Sequence, residues 1–219
     1  MKHKFFGNLM ILLGLALMFG AVGLTYYNLD VEEAGGTAAN TSVAAIHQQM
    51  PEAPTLGAEP VIYYPTAYVL TDYGVEIPDY VLNPKMKMPK KTIDGIDYIG
   101  YIQIPSLGLE LPIIAEINDA LLKMAPCRYE GSVYQDNMII GGHNYRQHFG
   151  YIDELSYGDM IHFIDMDGNT FSYEVIDLEV IDAGDASGMK AGDWDLTLFT
   201  CNMSRSARIT IRCARVGAK

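Results

Sequence analysis

The chain has 219 residues, 49% of them hydrophobic and 19% charged, enough for one full-sized core with appendages, so one folded domain is expected. A formal net charge of −12 argues against wholesale nucleic-acid binding, because phosphate attraction needs a basic surface. The three cysteines, Cys127, Cys201 and Cys213, include no C-x-x-C pair, which excludes a zinc ribbon and a thioredoxin-like motif.

No charged residue occurs from Phe5 to Leu29, a run long enough to cross a bilayer as a helix. Lys2 and Lys4 precede it and Tyr26-Tyr27 resembles an interfacial aromatic anchor. The expected arrangement is a single-pass anchor over residues 1–29, amino end in the cytoplasm and the rest outside the cell. A cleavable signal peptide is the alternative, since Ala21-Val22-Gly23 resembles a small-residue cleavage site. Either reading exports the remainder of the chain, and in an exported chain an odd cysteine count leaves at least one thiol unpaired within the molecule.

Residues 30–92 hold seven of the ten prolines and the small-residue run "EAGGTAANTSVAA". Such a segment reads as an extracellular stalk, although "VIYYPTAYVL" is apolar enough that part of it is expected to pack on the domain. From residue 93 to 219 the chain changes to short β-favouring runs: 98–104, 110–116, 137–142, 160–165, 170–182, 195–200 and 207–215. Asp167-Gly168 between two of them is a hairpin signal. Short helical pieces are expected at "NDALLK" and "FGYIDEL". Strands this short with sparse helices point to a mainly β fold, a closed barrel or a sandwich. In the last strand Arg208, Thr210 and Arg212 share one face, and Ile209, Ile211 and Cys213 the other.

A cysteine nucleophile needs a partner that lowers its pKa or takes its proton, and histidine is the usual one. Of the five histidines, His3 lies before the anchor, His47 in the stalk and His162 inside a strand, while His148 reads as a solvated or helix-capping side chain. His143 follows "NMIIGG", a strand ending in two glycines that permit close approach. Taken singly, His143 has an ordinary structural reading, Cys201 reads as a small core hydrophobe and Arg208 as a solvated strand charge.

Together the pattern changes. "TLFTC" ending at Cys201, an arginine opening the next strand, "GGHN" at the end of an earlier strand, "GYIQIP", "FGYIDELSYGDMI" and an amino-terminal anchor resemble the sortase family, the cysteine transpeptidases of Gram-positive cell surfaces. The resemblance spans Tyr98 to Arg215. It implies a closed eight-stranded β-barrel and a catalytic trio of His143, Cys201 and Arg208. Arg205 competes for the arginine role, but Arg208 directly precedes the alternating strand "ITIRC", as the family's arginine does. "MAPCRYEGS" departs from the family pattern by placing Cys127 where a glycine or histidine is expected.

The resemblance further implies exported substrates bearing a carboxyl-terminal, Leu-Pro-x-Thr-Gly-like sorting signal. The amine acceptor would be a peptidoglycan precursor or a pilin lysine. No cofactor is expected, although the acidic "EINDA" leaves calcium open. The subclass stays open between class B and class D types, and a dedicated pilin polymerase is disfavoured because the stalk has no clear Asp-Pro-aromatic lid and no second apolar span ends the chain. Two rival readings remain: a peptidase that resolves the thioester with water, and a tethered, non-catalytic binding barrel. Cys127 and Cys213 pairing as a disulfide would leave Cys201 as the free thiol.

Overall fold

In the computed structural model of the protein, residues 2–50, 69–71 and 74–217 are described, with side chains for residues 6–50 and 77–217. The expected packing of "VIYYPTAYVL" falls outside the described side chains.

Eight strands form a closed barrel: β1 (Ile96–Ile104), β2 (Leu109–Ile114), β3 (Cys127–Glu130), β4 (Met138–Gly142), β5 (Met160–Asp165), β6 (Thr170–Asp182), β7 (Leu196–Cys201) and β8 (Ala207–Arg215). Their order is β1-β2-β3-β4-β7-β8-β6-β5, and β5 closes the ring by pairing antiparallel with β1 from Gln103↔His162 to Gly100↔Asp165. Two junctions are parallel, β2–β3 and β4–β7. A short strand, Lys91–Ile93, adds to β1.

Alternating apolar residues fill the interior. Ile102, Ile104, Ile113, Ile140, Phe163, Leu198 and Ile211 are essentially inaccessible, each contributing roughly 1.5–3 kcal/mol by burial. The β5–β6 hairpin turns where Asp167-Gly168 predicts it, with Gly168 at φ +86°. Asp165, fully buried before the turn, accepts from the backbone N–H groups of Asp167 and Asn169, from Asn169 Nδ2 and from Tyr134 Oη at 2.7–2.9 Å. Burial raises its pKa and these four donors work against that rise.

Of the eight barrel strands, the one not foreseen is β3. Its sequence, Cys-Arg-Tyr-Glu, lacks an apolar run, it touches β2 only at Ile114↔Cys127, and its pairing with β4 is broken by a bulge. The helical pieces form as a turn of α-helix at Asp119–Leu122 and a 3-10 turn at Ile152–Glu154. Asn118 of "EINDA" caps the first by accepting from the N–H groups of Ala120 and Leu121.

The amino-terminal helix α1 runs unbroken from Lys2 to Gln49. Its window of mean hydropathy 2.1 is wholly exposed, long and apolar enough to cross a membrane. Beyond Leu29 the small-residue run stays helical and lies on the barrel: Ala39, Val43 and Ile46 are buried. Ser42 Oγ lies 2.9 Å from Tyr98 Oη and His47 Nε2 lies 2.7 Å from Glu110 Oε1. Composition made this stretch look like spacer; tertiary packing of one face supplies what helix propensity does not.

Candidate active site

Three adjacent strand ends carry the site. β4 and β7 run parallel in register, Gly142 opposite Thr200, and Thr200 Oγ1 donates to the Gly142 carbonyl at 3.0 Å. The next residues on the two strands, His143 and Cys201, therefore leave the barrel side by side. Antiparallel pairing places Arg208 of β8 directly across from Cys201. All three side chains are half-buried. The Arg208 guanidinium lies 5.6 Å from the centroid of Phe199, which shares the outer face of β7 with Cys201.

The glycines before His143 are needed for packing. A Cβ on Gly141 would stand 2.5 Å from the Phe199 ring and one on Gly142 2.6 Å from the Phe149 ring, far inside contact distance. The close approach expected here is thus made by two aromatic rings, one on each side of β4.

The His143 ring stacks on Tyr145, centroids 4.7 Å apart and planes at 24°. Its Nε2 is buried and has no hydrogen-bond partner among the described residues. Burial first, then the charges of Arg205 and Lys123, hold the His143 pKa below its ordinary value, against a smaller opposing effect of Asp119. That direction favours the neutral imidazole at pH 7. Asn144 donates to the Met203 sulfur at 3.6 Å, tying the His143 loop to the turn after Cys201. Arg205 sits exposed in that turn at φ +58°; its charge reaches His143, whereas the strand register gives Cys201 to Arg208.

A second apolar cluster lies on the outer face near these residues, made of Ile139, Ile181, Met189 and Phe199, with Tyr129 edge-on to Phe199. The short helix Ala186–Lys190 roofs it. Arg212, only 1% exposed, holds that roof: it donates to the Gly188 and Met189 carbonyls at 2.8 Å, to Thr197 Oγ1 at 3.0 Å and to Glu179 Oε1 at 2.6 Å. Lys190 pairs with Glu130 at the far side. A cavity of about 460 Å³ beside Asp185, Trp194 and Arg212 belongs to this wall and includes none of His143, Cys201 and Arg208.

Sequence reasoning missed Thr200, Arg212 and Tyr145. The two threonines of "TLFTC" were the available signal, since Thr197 receives Arg212 and Thr200 bonds to β4. Arg212 shares a face with Arg208 as expected, yet that face is covered. His148, read as solvated or capping, is fully buried; burial pushes its pKa down to about 4, opposed by the peptide group of Gly35. All three cysteines are free. Burial pushes the Cys127 thiol up to about 12 and raises Cys213 further. Among the described residues no group of three or more His, Cys, Asp or Glu side chains is placed to hold a metal ion.

A family model described as Sortase domain matches residues 102–216. The fold is similar to that of sortase C1 from Streptococcus agalactiae, with TM-score 0.52 and 24% identity over 63% of this chain and 76% of that one. It is also similar to sortase C from Clostridium perfringens with the C-terminal cell wall sorting motif, with TM-score 0.50 and 26% identity over 65% and 78%. A Clostridium perfringens sortase D5 transpeptidase gives TM-score 0.50 and 23% identity over 58% and 83%. No curated protein matches the chain.

Proposed function

The chain belongs to the sortase family, and we propose that it is a membrane-anchored cysteine transpeptidase in which Cys201, His143 and Arg208 act on the sorting signal of exported proteins. One observation carries this reading: the parallel register that pairs Gly142 with Thr200, the residues just before His143 and Cys201, together with the antiparallel pairing of Arg208 with Cys201.

The neutral imidazole suits a base. His143 takes the thiol proton as the Cys201 sulfur attacks the scissile carbonyl of a Leu-Pro-x-Thr-Gly-like signal. The tetrahedral oxyanion then faces the fixed N–H donors of Arg208. Collapse breaks the peptide C–N bond; His143 gives its proton to the departing amine, leaving a thioester on Cys201. An acceptor amine, such as that of a peptidoglycan precursor or a pilin lysine, attacks the thioester carbonyl and gives a proton to His143; the C–S bond breaks as the new amide forms, and His143 returns that proton to the Cys201 sulfur. The exposed apolar run of α1 supports a single-pass anchor with the barrel outside the cell, in keeping with an acceptor at the cell surface.

The test is cleavage of a peptide library by the full chain in detergent, with and without an added amine. Amine-dependent product carrying the acceptor supports the reading; release of the free acid alone makes the enzyme a peptidase; no cleavage of any peptide removes the reading.

A further inference from the structure

The helix that carries the apolar run touches the loop that carries His143. Glu32 Oε1 accepts from the Arg146 N–H at 2.6 Å. A Cβ on Gly35 would stand 2.5 Å from the Lys123 carbonyl oxygen and 3.3 Å from the Tyr145 ring. One on Gly36 would stand 2.9 Å from Gln147 Cβ and collide with the rest of that side chain. Both glycines are helical, so backbone conformation does not require them, and each costs about 1 kcal/mol relative to alanine inside a helix. Close approach of α1 to the loop is what they permit.

Tyr145 is therefore held on two sides, with the α1 backbone at Gly35 against its edge and the His143 ring stacked on its face. Leu29, where the charge-free run ends, precedes Glu32 by three residues, roughly 5 Å along a helix. Anchor and histidine loop are thus joined through one rigid element.

Building on the proposed role of His143, we propose that the Glu32–Gly36 turn of α1 is a positioning element of the active site, holding Tyr145 so that it orients the His143 ring. The barrel supplies the strand ends, and α1 supplies the constraint on the loop leaving β4. Around the ring, Tyr145 and His148 come from its own loop, Asp119 and Lys123 from the helix before β3, Arg205 from the β7–β8 turn, and Glu32 from α1.

The experiment monitors the His143 ring by NMR in histidine-labelled full chain in detergent micelles, together with steady-state transpeptidation. Gly35→Val drives α1 off Tyr145. The expected result is a kcat lowered about a hundredfold with KM little changed, and a His143 pKa moved up toward about 6.5 as water reaches the ring. Thermal unfolding of the barrel stays near wild type. Glu32→Ala lowers kcat in the same way, and Glu32→Gln, which keeps an acceptor for Arg146, restores it. Unchanged His143 titration and kcat in both Gly35→Val and Glu32→Ala overturn the proposal, as does an equal loss in Glu32→Ala and Glu32→Gln. His143→Ala separates the two readings: retained transpeptidation there removes the catalytic role, while the ring titration still reports whether α1 positions it.

Discussion

At one end of the β7–β8 hairpin Cys201 stands across from Arg208, both half-exposed. Toward the other end Cys213 and Arg212 are sealed, one inside the barrel and one under the 186–190 helix. The residue types are the same and the strands are shared. Burial keeps the Cys213 sulfur protonated, and the thiol is a poor nucleophile in that form. Four protein acceptors occupy the Arg212 guanidinium, whereas the Arg208 guanidinium lies on an aromatic ring beside the thiol. What covers each residue separates the pair proposed to do chemistry from the pair that holds structure.

The sharpest way to break this contrast is to truncate the reactive end. Cys201→Ala and His143→Ala should each abolish thioester formation with the barrel still folded, while Cys213→Ala should retain it; intact-mass analysis after incubation with substrate peptide reads all three. The arginines should separate next. Arg208→Ala is expected to lower kcat/KM about 10²–10³-fold with little change in urea stability. Arg212→Met should cost about 3 kcal/mol of stability and still form the thioester at saturating peptide. An Arg212→Met enzyme as inactive as Arg208→Ala, yet stable, would erase the distinction.

The contrast extends to histidines. His143 is half-buried at the proposed site and His148 is sealed behind it. Because burial depresses the folded pKa of His148 to about 4 from an ordinary value near 6.5, its contribution to stability is complete above about pH 6.5 and is lost as pH falls toward about 4. The loss is on the order of 3 kcal/mol. Urea unfolding at pH 7 and pH 4.5 should show it in the wild type and a smaller loss in His148→Phe. The smallest effect belongs to Thr200→Val, which removes the hydroxyl bridge to Gly142 at about 1 kcal/mol and should reduce activity by loosening the β4–β7 junction that aligns His143 with Cys201.

The strand pattern was legible in the sequence because β1, β2 and β4 to β8 bury alternating or continuous apolar runs with turn residues between them. The proposed site rests in the sequence on three spaced motifs, none of which is persuasive alone. Tertiary covering was not. Arg212 reads as a surface charge until residues 186–190 fold over it, and His148 reads as polar until α1 and Tyr145 close on it. β3 is too short and too polar to announce itself. Residues 30–49 look like spacer because their helix is selected by a contact with the barrel, which leaves only Gly35-Gly36 as a trace in the sequence.

Whether Cys201 is the nucleophile is decided by mapping the acyl adduct formed when full chain and a sorting-signal peptide are mixed without an acceptor amine. One hydroxylamine-sensitive adduct per chain is expected, on Cys201, absent in Cys201→Ala. An adduct on Cys127 or Cys213, or transpeptidation surviving in Cys201→Ala, would contradict it.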